Sequence, residues 1–317
     1  MSARTSFPLN FVPCACDWCG ETDGDLVLEG PDRQLDLPGQ FRMVRCKKCG
    51  LIRQNPRLTW DSLAHYYEGY TTYVPLIREY PEWQQRIKRM GPAKRVSCVA
   101  RRCPEGRLLD VGCGSGRFLE EAQRRGKWEL EGLEPTAGMA DYVRRSLNLT
   151  IHDGQFNEAN LPEGHYDVLT LWNVLEHLDS PIQDLRRCHR LLKPGGYLFL
   201  TIPNLEGWER HVFGRYWLGW ELPRHLYLFP RKVMKTILND LGFRVAGLEG
   251  SPSSHFALEE TLNYWVKSWP EPQRRLGNGL LWLYRSPVSR LGLMLPLGLL
   301  ERMGLNTLIT VVAQKKA

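Results

Sequence analysis

Several features are scarce in this 317-residue sequence, and each shortage excludes a class of protein. No run reaches the ~18 apolar residues needed to span a bilayer. The opening MSARTSFPLNFVPCACDW holds no continuous apolar core of a secretory signal. The chain is therefore expected in the cytoplasm, its nine cysteines reduced instead of locked into a disulfide framework. Internal repeats and low-complexity tracts are absent, which excludes solenoids and long disordered linkers. Acid is nearly missing from one stretch. Between Gln84 and Arg107, Glu105 stands alone against Arg86, Lys88, Arg89, Lys94, Arg95, Arg101, Arg102 and Arg107. Such a run reads either as the solvated face of a helix or as a grip on phosphates.

What is present follows an α/β plan with three regions. Residues 1–57 are rich in Cys, Gly and Pro and carry short extended runs. Residues 58–106 are helical, aromatic at first and then basic. From 107 to 317, short apolar runs alternate with amphipathic segments. There RLLDVG, WELEGLEP, LTIHDG, YDVLTLWN, GGYLFLTIPN, RVAGLEG and NTLITVVAQ read as seven strands. Helices are expected over SGRFLEEAQRRG, GMADYVRRSL, SPIQDLRRCHRLL and PRKVMKTILNDLGF.

Two motifs carry chemistry. In LLDVGCGSGRFLE a strand ends at Asp110, and Gly112, Gly114 and Gly116 alternate with small residues before a helix. Bare backbone N–H groups at such a turn meet a ligand, and glycine lets it approach with no Cβ in the way. The dinucleotide fingerprint needs its third glycine one position later, where this chain has Arg117. The loop suits a cofactor without phosphate, held through a nucleoside and an amino-acid tail, and S-adenosylmethionine is that molecule. Glu134, 22 residues after Gly112 at the end of the second strand, can accept hydrogen bonds from both ribose hydroxyls.

The second motif is a pair of knuckles, Cys16-x-x-Cys19-Gly20 and Cys46-x-x-Cys49-Gly50, separated by 26 residues. Together they supply four thiolates for a tetrahedral zinc, and the glycine after each pair suits the tight turn. Cys14 leaves a second register open. Four sulfurs leave no free coordination position, so the zinc would be structural and would stabilise a segment too short to bury a secure core. Cys98, Cys103, Cys113 and Cys188 read as unbridged thiols.

Four stretches, LDVGCGSG, GLEP, YDVLTLWNVLEHL and LLKPGGYLFLTIPN, resemble in order and spacing the class I S-adenosylmethionine-dependent methyltransferases, over about Arg107 to Phe243. The resemblance implies an α/β, Rossmann-like sheet of seven strands, the last antiparallel and tucked between the fifth and sixth. Residues 251–304 would then be a helical insertion between the last two strands. It assigns Asp110 and the backbone of Gly112, Gly114 and Gly116 to the methionine end of the cofactor and Glu134 to the ribose. Asp153 and Gly154 would flank the adenine, and Trp172 and Asn173 the methionine tail. WNVLEHL is similar to the ubiquinone-pathway O-methyltransferases. The Cys-rich start with CGLIRQNPRLTWDSLAHYYEGY more loosely resembles the zinc-ribbon-like segment of methyltransferases from bacterial glycan and natural-product pathways, sugar C-methyltransferases among them.

The expected function is methyl transfer to a small-molecule, sugar or lipid-linked acceptor, most simply at a hydroxyl oxygen, with carbon and nitrogen left open. Glu176 and His177 follow Asn173 beside the expected methyl group, and His225 lies in the excursion after the fifth strand. One histidine is expected to serve as general base and the other to orient the acceptor. Tyr66, Tyr67, Tyr70, Tyr73, Trp208, Trp217 and Trp220 are candidates for ring stacking or for core packing. The apolar stretch Gly277–Gly304, dotted with Arg285, Arg290 and Arg302 and broken by Pro287 and Pro296, reads as a lid, a dimer surface or a segment lying on the inner face of a membrane. Two other readings compete. An RNA methyltransferase would use the zinc and basic segments to hold phosphates. Against nucleic acid, WNVLEH is not the Asn-Pro-Pro-Tyr type of sequence, and no interleaved basic–aromatic module is present. Against a non-catalytic scaffold stand the intact glycines, Glu134 and both histidines.

Overall fold

The computed structural model describes residues 7–68, 76–251 and 254–316, with the side chains of Trp83, Ser254, His255, Pro287 and Arg290 left aside. Tyr70 and Tyr73 lie outside the described residues. The chain runs through β1 (Phe11–Val12), β2 (Gly24–Gly30), β3 (Phe41–Cys46), β4 (Ile52–Gln54), β5 (Arg57–Leu58), α1 (Trp60–Glu68) and α2 (Glu82–Ala100). It continues with β6 (Glu105–Val111), α3 (Arg117–Arg125), β7 (Lys127–Glu134), α4 (Ala137–Leu147), β8 (Thr150–Asp153), β9 (Tyr166–Trp172), α5 (Pro181–Leu191) and β10 (Leu192–Pro203). The last part holds α6 (Trp208–Phe213), β11 (Tyr227–Leu228), α7 (Arg231–Asp240), β12 (Phe243–Gly250), α8 (Ser254–Lys267), α9 (Gln273–Tyr284), α10 (Pro287–Arg302) and β13 (Leu308–Lys315). Two compact units result. A cysteine-bearing unit comprises Met1–Thr71, Pro203–Met234 and Glu249–Ile309, and a sheet unit comprises Thr72–Ile202, Lys235–Leu248 and Thr310–Ala317.

The sheet unit is built on seven strands in the order β12-β13-β10-β9-β6-β7-β8. The pairs β10/β9, β9/β6, β6/β7 and β7/β8 are parallel, and the last strand of the chain, β13, runs antiparallel. The seventh strand therefore lies between the fifth and sixth, as the resemblance implies. All seven expected strands form. The fifth begins at Leu192 instead of Gly195, because a register shift between Leu192 and Tyr197 absorbs the KPGG turn and lets pairing start early. Val168, Leu169, Thr170 and Leu171 of β9 are all buried, so both faces of that strand are covered, which suits its nearly continuous apolar run. Val96 and Val99 of α2, Phe118 of α3 and Val143 of α4 pack there against Leu108, Val168 and Phe199 of the strands.

The cysteine-bearing unit has its own four-stranded sheet, in the order β11-β4-β3-β2. Residues far apart in the chain build it: Tyr227 pairs with Arg53 and Leu228 with Ile52. Next to that pairing, Gln54 Nε2 donates to the carbonyls of Pro223 and His225, both at 2.7 Å. Arg224, fully buried, donates to the equally buried Asp32 at 2.9 Å. Asp32 also accepts from the N–H groups of Gln34, Leu35 and Leu37. A buried ion pair is tolerable only when its remaining lone pairs are met in this way. Helices α8, α9 and α10 fill the connection between β12 and β13 and share a small core of Leu258, Tyr284 and Leu297.

Candidate functional site

In the sheet unit the expected cofactor residues gather at the carboxyl ends of β6, β7, β8 and β9. Gly112, Gly114 and Gly116 all adopt positive φ, at 67°, 52° and 77°. At Gly116 an added Cβ would meet Val143 Cγ1 at 2.7 Å, so glycine is needed there for α3 to pack on α4. At Gly114 an added Cβ would meet nothing within 4 Å. Its face of the loop is open, as backbone approached by a ligand must be. The Gly114 N–H donates to Glu134 Oε2 at 3.0 Å, and Thr136 N–H donates to Oε1 at 3.1 Å. Each oxygen keeps another lone pair, so the buried carboxylate can still take two hydroxyl donors.

Asp110 is buried and accepts from Thr170 Oγ1 at 2.5 Å. Burial pushes its carboxyl up to about 7 against the pull of the Thr170 hydroxyl and the Arg95 guanidinium. Arg95 Cζ lies 5.0 Å from the centre of the Trp172 ring. Arg95 Nε and Trp172 Nε1 are buried and have no hydrogen-bond partner. The Trp172 ring itself is packed between Phe118, at 5.2 Å, and Phe199, at 6.5 Å. Arg95 was readable in sequence only as one of eight basic residues; a residue with a buried, unmet N–H on α2 could not be told from its solvated neighbours. Of those, Lys88 sits over the Tyr80 ring at 4.2 Å, and Arg107 pairs with Glu129 at 2.7 Å.

Asp153 faces Glu134 across the β7/β8 register, is exposed, and accepts from Arg144 at 3.0 Å. Gly154 follows it with φ 109°. Asn173 follows β9 with φ 60°, a backbone that asparagine tolerates better than most residues. Glu176 and His177 then occupy the 3₁₀ turn Leu175–His177, Glu176 buried and His177 half-buried.

The cysteine-bearing unit holds the remaining candidates. Cys16 Sγ lies 3.5 Å from Cys49 Sγ, and Cys19 Sγ lies 3.5 Å from Cys46 Sγ. All four sulfurs lie within 4.8 Å of one another, a set that could hold a metal ion. Gly20 and Gly50 close the two knuckles with φ 74° and 80°. Cys14 is outside the cluster, its Sγ donating to the Val12 carbonyl at 3.5 Å, so Cys16 is the first member of the set. Burial pushes the Cys16 and Cys49 thiols up, which a bound cation would reverse. All nine cysteines are free of disulfides. Tyr66 and Trp217 are core residues: Tyr66 stands edge-on to Phe41 at 5.6 Å, and Trp217 Nε1 donates to Thr307 Oγ1 at 3.3 Å.

His225 is buried, with Nδ1 2.9 Å from the Gly219 carbonyl and Nε2 3.4 Å from Glu221 Oε2. Burial lowers its pKa from 6.5 to about 4, despite the Gly219 hydrogen bond. Between those values the unfolded chain takes up a proton that the folded chain refuses. The stability from His225 is therefore complete above about pH 6.5 and is lost as pH falls towards 4, a change on the order of 3 kcal/mol. Asp110 acts in the opposite sense, because its raised pKa gives stability that is lost as pH rises through about 7. The His225 effect is thus read as a difference. Unfolding of the wild type is expected to lose about 3 kcal/mol relative to His225→Gln between pH 7 and 4, and parallel denaturation curves across that range would contradict the buried neutral imidazole.

Comparison with known proteins bears on the same region. Residues 77–247 match the family model described as a methyltransferase domain. A ubiquinone biosynthesis O-methyltransferase of Pseudomonas paraeruginosa is 30% identical over 182 residues, which cover 52% of this chain and 78% of that protein. The enzyme of the same name from Yersinia pestis is 32% identical over 136 residues, 38% of this chain and 52% of the relative, so the chain spans only about half of that protein's length. Among solved structures, a SAM-dependent methyltransferase from Archaeoglobus fulgidus is 18% identical, with a TM-score of 0.47 over 72% of this chain and 94% of the other. The family match runs through the glycine loop, Glu134 and the end of β9, where an open backbone face meets a carboxylate with lone pairs to spare, and it takes in more than half of the sequence. The chain belongs to the methyltransferase-domain family and is a class I S-adenosylmethionine-dependent methyltransferase.

Proposed function

We propose that this methyltransferase acts on a hydroxyl oxygen of a small-molecule or glycan acceptor, with His177 as the general base. The observation that carries the reading is the position of His177, half-buried in the turn Leu175–His177 just beyond the carboxyl end of β9. The strands with Asp110 and Glu134 end in the same row. Two relatives named as O-methyltransferases support oxygen as the acceptor atom. S-adenosylmethionine supplies a methyl group on a sulfonium, open to in-line displacement. Glu134 would hold the ribose diol, Asp153 and Gly154 the adenine, and the Gly112–Gly116 backbone with Asp110 and Asn173 the methionine end. Arg95 Nε and the Trp172 indole N–H, buried donors with no partner, suit the carboxylate of that tail. His177 would receive the hydroxyl proton as the oxygen attacks. An imidazole held near 4 is a weak base at neutral pH, so His225 is the poorer candidate for that task.

The four clustered thiolates suit a structural zinc, with no position left for substrate. Lys88 over the Tyr80 ring and Arg107 paired with Glu129 support a structural role for these positions of the basic stretch over an RNA grip. The test is transfer from labelled S-adenosylmethionine to catechol- and sugar-bearing acceptors and, in parallel, to total RNA. A methyl ether on a small acceptor is the expected product. Methylated carbon or nitrogen, or labelled RNA, would overturn the proposal.

A further inference from the structure

Helices α9 and α10 each have two apolar faces. One packs inward: Leu281 and Tyr284 of α9 and Leu297 of α10 are buried. Gly277 lets α9 approach α8 so closely that an added Cβ would meet Val266 Cγ1 at 2.6 Å. The other face is open. On α9, Leu276, Leu280 and Leu283 recur at i, i+4 and i+7 and are 54–68% exposed, with Trp282 at 74%. On α10, Val288, Leu291, Leu295 and Leu299 recur at i, i+3, i+7 and i+11, with exposures of 59–85%. These spacings are those of a helix face that a solvent-facing helix fills with polar residues. Single exposed leucines are ordinary, but two aligned rows are not.

The charge on the same segment narrows the partner. Residues 273–304 contain five arginines and one acid, Glu301, a net +4. Arg274 and Arg275 share the one carboxylate of Glu271, at 2.8 and 3.5 Å. A symmetric contact between two copies would set this basic face against itself. Among the described residues no helix is long and apolar enough to cross a membrane. Arg285 pairs with Glu259 at 2.7 Å, and the segment keeps a basic excess. Exposed aliphatic rows on basic helices too short to span match the interfacial layer of a bilayer with anionic headgroups.

We infer that α9 and α10 form a docking surface for an anionic phospholipid bilayer, the two leucine rows entering the acyl boundary and the net positive charge of the segment favouring anionic headgroups. The inference rests on the described part of the insertion and is independent of which atom is methylated.

Flotation of the full chain with vesicles tests it. Vesicles of phosphatidylglycerol and phosphatidylcholine in equal parts should carry the protein, while phosphatidylcholine alone should bind about tenfold less. High salt should weaken binding to the mixed vesicles. Leu291→Gln combined with Leu295→Gln should cut binding about tenfold or more, with unchanged melting temperature and S-adenosylmethionine affinity showing that the chain still folds. Failure of the wild type to float, or equal flotation of the double variant, would overturn the inference. So would a dimer in solution that these substitutions dissociate while the wild type ignores vesicles.

Discussion

Gly114→Arg is expected to abolish S-adenosylmethionine binding, by about 100-fold or more, while leaving one zinc bound per chain. The affinity change corresponds to about 2.7 kcal/mol or more. Two separate physical effects act at this position. The backbone sits at φ 52°, where an L side chain costs roughly 1–2 kcal/mol, and that part falls on the fold. The larger effect falls on the ligand. Because an added Cβ meets nothing within 4 Å, the new side chain has room to stand in the open space above the strand ends. It fills the volume assigned to the cofactor and brings a guanidinium towards a sulfonium. Its backbone N–H also belongs to the hydrogen bond that steadies Glu134. The four thiols lie in the other compact unit, so metal content measured on the purified variant separates loss of the cofactor site from general unfolding. Calorimetry showing retained micromolar affinity would contradict the placement, and a chain without zinc would contradict the tetrahedral cluster.

His177→Ala should lower kcat by about 10²–10⁴-fold and leave the affinity for S-adenosylmethionine nearly intact. The size follows from the task. An acceptor hydroxyl must lose its proton as the oxygen attacks, and the group proposed to receive it is then missing. His177 lies in a 3₁₀ turn fastened by its own N–H to the Val174 carbonyl at 3.0 Å, so the side chain can be removed without dismantling the turn. Steady-state rates and cofactor titrations on the same preparation decide the matter. A loss carried by cofactor affinity, with turnover at saturation preserved, would make His177 a structural residue.

Much of the sheet unit was legible because its signals are local. The run Leu108–Val111 is apolar but for Asp110 and leads into glycines, so strand, turn and helix follow from neighbouring residues alone. Glu134 was legible for the same reason, as an acid closing an apolar strand. The paired knuckles were legible because each is a closed turn of a few residues, Gly20 N–H reaching back to the Cys16 carbonyl and Gly50 N–H to the Cys46 carbonyl. The choice between Cys14 and Cys16 was not, since both lie within reach of the same turn in sequence and differ only in where the sulfurs end up.

The sequence by itself thus determined the seven strands, their alternation with helices, the glycine loop with its acids and the presence of four clustered thiols. Periodicity and turn chemistry are properties of adjacent residues. The tertiary structure decided what depends on distant ones. It set Tyr227 and Leu228 as the edge of the cysteine-bearing sheet, gave Arg224 its carboxylate 192 residues away in Asp32, and buried His225 until it became a weak base. It also singled out Arg95 from seven similar neighbours and laid it over Trp172. A buried charge or an unmet N–H is defined by what surrounds it in space, and that neighbourhood exists only once the chain has closed on itself.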